Sequence, residues 1–117
     1  MNKSDAISVQ GFLANGISAG IKGNGRRDLA LIYSEVPATA CGVFTTNRFK
    51  AAPVRVDEDR IKGGIAQAII INSGNANAVT GEKGYESALV MARTVSEKMG
   101  IDEKLVLVSS TGIIGER

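Results

Sequence analysis

The spacing of apolar and polar positions changes character along this 117-residue chain. In the first third, short apolar runs at residues 9–14, 17–21, 29–33 and 38–44 alternate with turn residues, a pattern that predicts a meander of β-strands. Asn15-Gly16 and Gly23-Asn24-Gly25 supply the positive-φ positions that tight connections between antiparallel strands use. Val36-Pro37 predicts a further turn, because proline fixes its own φ and drives the preceding residue extended. Past Pro53 the chain becomes charged, and residues 54–62 read as helical up to Gly63-Gly64.

The second half has a plainer rhythm. Residues 65–71 contain Ala68-Ile69-Ile70-Ile71 without polar alternation, which predicts a strand buried on both faces. A polar loop of small residues, 72–78, follows. Thr80 is then placed as an N-cap, Glu82 in a first turn, Lys98 in a last turn, and Gly100 where a left-handed residue ends a helix. Between them Tyr85, Ala88, Leu89, Ala92, Val95 and Met99 form one apolar stripe of helical period. Ile101 closes the cap, residues 105–108 form a second buried strand, and residues 109–115 form a second loop. The order strand, loop, helix, strand, loop predicts a mixed α/β fold in a single segment, residues 1–117, which ends abruptly as if cut short.

Composition narrows the chemistry. With 44% hydrophobic and 22% charged residues, the chain can build a core. Its 14 basic and 12 acidic residues are intermingled, so no electrostatic footprint for nucleic acid or an anionic membrane arises. No apolar run approaches the roughly 20 residues of a membrane-spanning helix. Met1-Asn2-Lys3-Ser4-Asp5 lacks the apolar stretch of a secretory signal, and a cytoplasmic protein is expected. Cys41 is the one cysteine and reads as a small buried side chain. There is no histidine, which removes Ser-His-Asp and Cys-His mechanisms from this chain and the commonest metal ligand as well. The acidic cluster Asp57-Glu58-Asp59 reads as solvated helix surface, and no metal is expected.

Two loops have the composition of sites at the carboxyl ends of strands. Residues 72–78 read either as a substrate contact or as an Asx-turn network organising the entry to the helix. In residues 109–115, Thr111-Gly112 sets a hydroxyl beside a flexible peptide whose N–H can face a developing oxyanion. By composition alone, Ser109-Ser110-Thr111-Gly112 is an ordinary turn. Gly20-Ile21-Lys22-Gly23-Asn24-Gly25 lacks the ending of a P-loop and is not read as a nucleotide site. Arg26-Arg27 reads as solvated.

Several segments, taken in order, resemble the bifunctional ornithine acetyltransferase/N-acetylglutamate synthase family of arginine biosynthesis. They are Gly16-Ile17-Ser18-Ala19-Gly20-Ile21-Lys22, Asp28-Leu29-Ala30-Leu31-Ile32, Gly42-Val43-Phe44-Thr45-Thr46-Asn47 with Ala51-Ala52-Pro53-Val54, residues 71–78, and Ser110-Thr111-Gly112-Ile113-Ile114-Gly115. The resemblance implies a layered α-β-β-α sandwich, of which this chain is the N-terminal part of the α chain. It implies a precursor that cuts itself before a threonine, after which that threonine carries acetyl from N-acetylornithine to glutamate. The α-amine of the new N-terminus then replaces histidine as base.

Thr111 and Gly112 match the family's oxyanion-hole pair, through a side-chain hydroxyl and a backbone N–H respectively. The nucleophile and the main substrate-binding residues would lie beyond Arg117, so this chain alone is expected to be inactive. Expected partners are the rest of the α chain and the β chain, in an α2β2 assembly, with amino-acid substrates. No cofactor is expected beyond acetyl-CoA as a second acetyl donor. Two other readings stay open: a non-catalytic scaffold segment, and part of a related self-processing aminopeptidase or amidohydrolase.

Overall fold

The computed structural model describes residues 8–115. The expected lead-in at residues 1–5 and the last two residues of the chain lie outside that range. Four strands form one sheet in chain order: β1 (Phe12–Ile17), β2 (Leu29–Thr39), β3 (Ile65–Asn75) and β4 (Val106–Ile113). β1 and β3 run antiparallel to β2, and β4 runs parallel to β3. Helix α1 (Ala52–Arg60) connects β2 to β3, and α2 (Gly81–Met99) makes the crossover that a parallel β3–β4 pair requires.

Both helices pack against the same face. Ala52 and Val56 of α1 and Ala88, Ala92 and Val95 of α2 close over Ala68 and Ile70 of β3 and Val106 and Val108 of β4. These positions alternate along each strand, because successive side chains point to opposite faces. The remaining set, Ala14, Ile32, Ile69 and Leu107, lies register to register across the sheet on the face without helices. Ile69 and Ile71 are only half-buried, so within this chain β3 is fully covered on one face, where the sequence predicts two. The molecule thus shows one helix layer on one sheet layer.

Several local expectations hold. Gly23, Asn24 and Gly25 all have positive φ, and Gly100 ends α2 at φ 68° with its N–H donating to the Ser96 carbonyl. α1 tightens into a 3₁₀ turn (Ile61–Gly63) before Gly64 at φ 69°, close to the predicted end. Among the stripe residues, Met99 is 37% exposed and takes little part in the core.

Other expectations are corrected. Asn15-Gly16 is not a turn but the middle of β1, paired with Leu31 and Ala30. The chain reverses later, over residues 18–27, so the run at 17–21 forms no second strand and only Ile17 belongs to β1. Val36-Pro37 does not interrupt β2. Four β2 residues, Ser34 to Pro37, lie between register partners that flank Gln67 alone on β3, and the bulge accommodates a residue with no N–H. The Gln67 amide fills the irregular rung by donating to the Ser34 carbonyl at 3.2 Å. β2 therefore runs to Thr39, and residues 40–44 are not strand. Cys41, read as buried, is exposed.

Candidate active site

The two loops of the sequence reading are largely strand. β3 continues to Asn75 and β4 to Ile113, with Asn72 opposite Ser110, Ser73 opposite Thr111 and Gly74 opposite Gly112. Their carboxyl ends therefore lie side by side. At the Gly74–Gly112 rung the backbones approach too closely for side chains. A Cβ on Gly112 would sit 2.3 Å from the Gly74 carbonyl carbon, and one on Gly74 would sit 2.7 Å from Ile21 Cγ2. Both glycines have φ near +130°, a conformation only glycine enters at little cost.

The ladder shows which backbone groups of β4 turn away from β3. The Ile113 carbonyl accepts from the Ala76 N–H at 3.1 Å, on the β3 side. Val108 instead gives its N–H to the Asp57 carboxylate at 2.9 Å, off the sheet. Alternate residues of a parallel strand turn N–H and C=O to the same side, so Val106, Val108 and Ser110 share the edge away from β3. On that edge α1 covers the first two: Asp57 takes the Val108 N–H, and Arg60 donates to the Val106 carbonyl while pairing with Glu103 at 2.9 Å. Gly112 follows at the end of β4, where its backbone leaves regular strand geometry at φ 133°. Thr111 beside it is exposed, and alternation puts its side chain on the helix-free face.

Three buried or half-buried polar side chains brace this region, and the sequence reading assigned none of them individually. Asp28, 3% exposed, accepts from the Ala19 N–H at 2.6 Å and the Lys22 N–H at 2.9 Å. Those hydrogen bonds, the one from Lys22 foremost, hold its carboxyl below the usual carboxylate range. They fold residues 18–22 into the turn that brings Ile21 against Gly74, and the Asp28 carbonyl accepts from the Ser73 N–H at 2.8 Å. Asn72 accepts from the Ser110 hydroxyl and donates to the Asn75 carbonyl at 2.9 Å. Asp57, expected as solvated surface, is partly buried. Burial pushes its carboxyl up to about 6, against the opposing pull of the Val108 N–H and Arg60. Its inward position was signalled by helical spacing, since Pro53, Val56, Asp57 and Arg60 fall on one face of α1.

The segment after β3 follows the Asx-turn alternative. The Asn75 side-chain oxygen accepts from the Asn77 N–H at 3.0 Å, and Asn77 donates to the Gly84 carbonyl at 2.8 Å. Thr80 is the N-cap residue, but its hydroxyl donates to Asn77 Oδ1 at 2.7 Å and makes no side-chain cap to the helix.

The sequence profile of the ArgJ family matches residues 13–117. The chain belongs to the ArgJ family. Among its relatives, the arginine biosynthesis bifunctional protein ArgJ of Caldanaerobacter subterraneus subsp. tengcongensis is 61% identical over 106 residues, 91% of this chain and 26% of the relative. The protein of the same name from Syntrophotalea carbinolica is 53% identical, over 93% of this chain and 28% of its own length. The chain thus spans about a quarter of these ArgJ proteins. Two crystal structures share its fold. ArgJ of Bacillus halodurans superposes with a TM-score of 0.87 at 45% identity, covering 92% of this chain and 56% of that one. Ornithine acetyltransferase of Mycobacterium tuberculosis, solved with ornithine, gives 0.89 at 42% identity, covering 92% and 59%. Among the described residues, no helix is long and apolar enough to cross a membrane.

Proposed function

We propose that this ArgJ chain supplies the oxyanion hole of an enzyme that transfers acetyl from N-acetylornithine to glutamate. The observation that carries the reading is Gly112, held in glycine-only backbone geometry next to an exposed Thr111, at the paired carboxyl ends of β3 and β4. A hydroxyl donor and a peptide donor adjacent in sequence, on a strand edge held by glycine-only geometry, suit an oxygen that gains charge during acyl transfer. The bound ornithine of the Mycobacterium tuberculosis relative supports an ornithine-type substrate.

In this mechanism the hydroxyl of a threonine outside the chain, freed as a new N-terminus by self-cleavage, attacks the acetyl carbonyl carbon. Its proton passes to its own α-amine. The carbonyl electron pair moves onto oxygen, where the Thr111 hydroxyl and the Gly112 N–H donate to it. Collapse breaks the C–N bond, ornithine leaves with the proton, and acetyl remains on threonine. The glutamate amine then attacks the ester carbonyl carbon through a second oxyanion at the same donors; collapse breaks the bond from that carbon to the threonine oxygen, which regains a proton from the attacking amine by way of the α-amine, and N-acetylglutamate leaves. No cofactor is required, and acetyl-CoA serves as an alternative acetyl donor. The remaining α-chain residues and the β chain cover the helix-free face in an α2β2 assembly.

The complete precursor, purified after processing, tests the reaction class. Incubation with N-acetylornithine and glutamate should yield ornithine and N-acetylglutamate in equal amounts. Release of free acetate or cleavage of peptide substrates, with no N-acetylglutamate formed, would instead favour a hydrolase on the same scaffold.

A further inference from the structure

Beside the donor pair lies a buried amide that the mechanism above does not use. Asn72 is 8% exposed and occupies the helix-side row of β3, directly after Ala68 and Ile70 in the alternation. An apolar residue would continue that row. The chain buries an amide there instead, which is tolerated only because both ends are hydrogen-bonded. Its oxygen accepts from the hydroxyl of Ser110, and its nitrogen donates to the Asn75 carbonyl at 2.9 Å. Ser110 immediately precedes Thr111, and Asn75 immediately follows Gly74. One side chain therefore ties together the two strands on either side of the Gly74–Gly112 rung.

That rung needs a tie. Two facing glycines contribute no side-chain packing and leave the backbone the widest conformational freedom of any pair. An oxyanion hole works only if its donors are already aimed when charge develops. We propose that Asn72 is a positioning residue for the Thr111–Gly112 donors, acting through Ser110 on one strand and the Asn75 carbonyl on the other. It touches no reacting atom. This inference rests on the donor role of Thr111 and Gly112 given above.

The test uses the complete, processed enzyme and the kcat and KM of acetyl transfer for Ser110→Ala, Asn72→Asp and Thr111→Val, with melting temperatures for each. Ser110→Ala removes one hydroxyl without adding bulk. It should lower kcat about 10- to 100-fold while leaving KM for N-acetylornithine nearly unchanged. Asn72→Asp keeps an acceptor for Ser110 but loses the donor to Asn75, and should lower kcat with KM nearly unchanged; wild-type kcat in that variant overturns the part played by the Asn75 tie. The deciding readout is coupling: in a Thr111→Val background, Ser110→Ala should cost much less than in wild type, because the donor it aims is already gone. A merely structural role would lower the melting temperature and leave kcat per folded enzyme alone. Slow turnover in Thr111→Val with wild-type kcat in Ser110→Ala, or equal losses in both backgrounds, overturns the positioning role only. Wild-type turnover in Thr111→Val overturns the donor reading and this inference with it.

Discussion

Gly112 is the residue whose identity is most tightly fixed by geometry. A Cβ placed there would meet Gly74 backbone atoms at 2.3 Å, and backbone cannot yield as a flexible side chain does. Gly112→Ala should therefore disrupt the β3–β4 rung itself, lowering stability and activity together, so it cannot isolate the role of the N–H. The hydroxyl next to it is a cleaner handle: Thr111→Ser should retain turnover where Thr111→Val loses it. Asp57 makes a second residue-scale prediction, on stability. Its folded value of about 6 lies above the ordinary 3.8, so the folded state holds the proton more tightly than the unfolded chain does. The stabilisation that follows is fully present below about pH 3.8 and is lost as pH rises to about 6. Asp57→Asn keeps an oxygen for the Val108 N–H and removes the charge. In melting curves from pH 4 to 7, the variant should show a flatter pH dependence and higher stability above pH 6. An unchanged slope would remove Asp57 as its source. Asp28 has the opposite sign, its contribution being present above the ordinary carboxylate range and lost in acid.

At the scale of elements, the entry to α2 combines strain with close packing. Val79 is a β-branched residue at φ 56° and 82% exposed, so it bears the left-handed conformation without burial in return. Val79→Asn should raise stability by about 0.5–1 kcal/mol, measured by urea unfolding of the complete protein. Gly84 is the reverse case, since a Cβ there would lie 1.7 Å from Thr80 Oγ1 and 2.5 Å from Asn77 Oδ1. Gly84→Ala should cost about 1–3 kcal/mol by the same measurement. The helix itself was legible in the sequence, because the apolar stripe and Gly100 are local signals. So was the burial of one face of β3 and β4, though not the two-sided burial expected of β3. The extent of those strands was not. Asn72, Ser73, Gly74, Ser109, Ser110 and Thr111 are turn formers by composition, and only pairing between strands far apart in sequence keeps them extended. The same holds for Pro37, which reads as a turn yet sits in a bulge opposite Gln67. Thr111 and Gly112 were reached through resemblance to a family, whereas their bracing by Asp28 and Asn72 depends on contacts no local pattern announces.

For the molecule as a whole, the one-sided sheet is the dominant fact. Ala14, Ile32, Ile69 and Leu107 form an apolar row on the face opposite the helices, with Phe12 45% exposed nearby. An apolar surface of this kind marks an interface more than a solvated exterior. Produced by itself, the 117-residue chain should self-associate in size-exclusion chromatography, and co-production with the rest of the ArgJ polypeptide should yield a soluble complex. A monodisperse monomer would argue against coverage of that face. The proposed division of chemistry has the same one-sidedness, with donors on this chain's β4 edge and the attacking hydroxyl brought by another segment. Its most direct measurement is the pre-steady-state rate of ornithine release from N-acetylornithine by the complete enzyme, wild type against Thr111→Val, because that step forms the first oxyanion. The account predicts acetyl-enzyme formation slowed by about 100- to 1000-fold, in a variant that still processes and assembles. Formation of acetyl-enzyme at the wild-type rate in that assembled variant would contradict it.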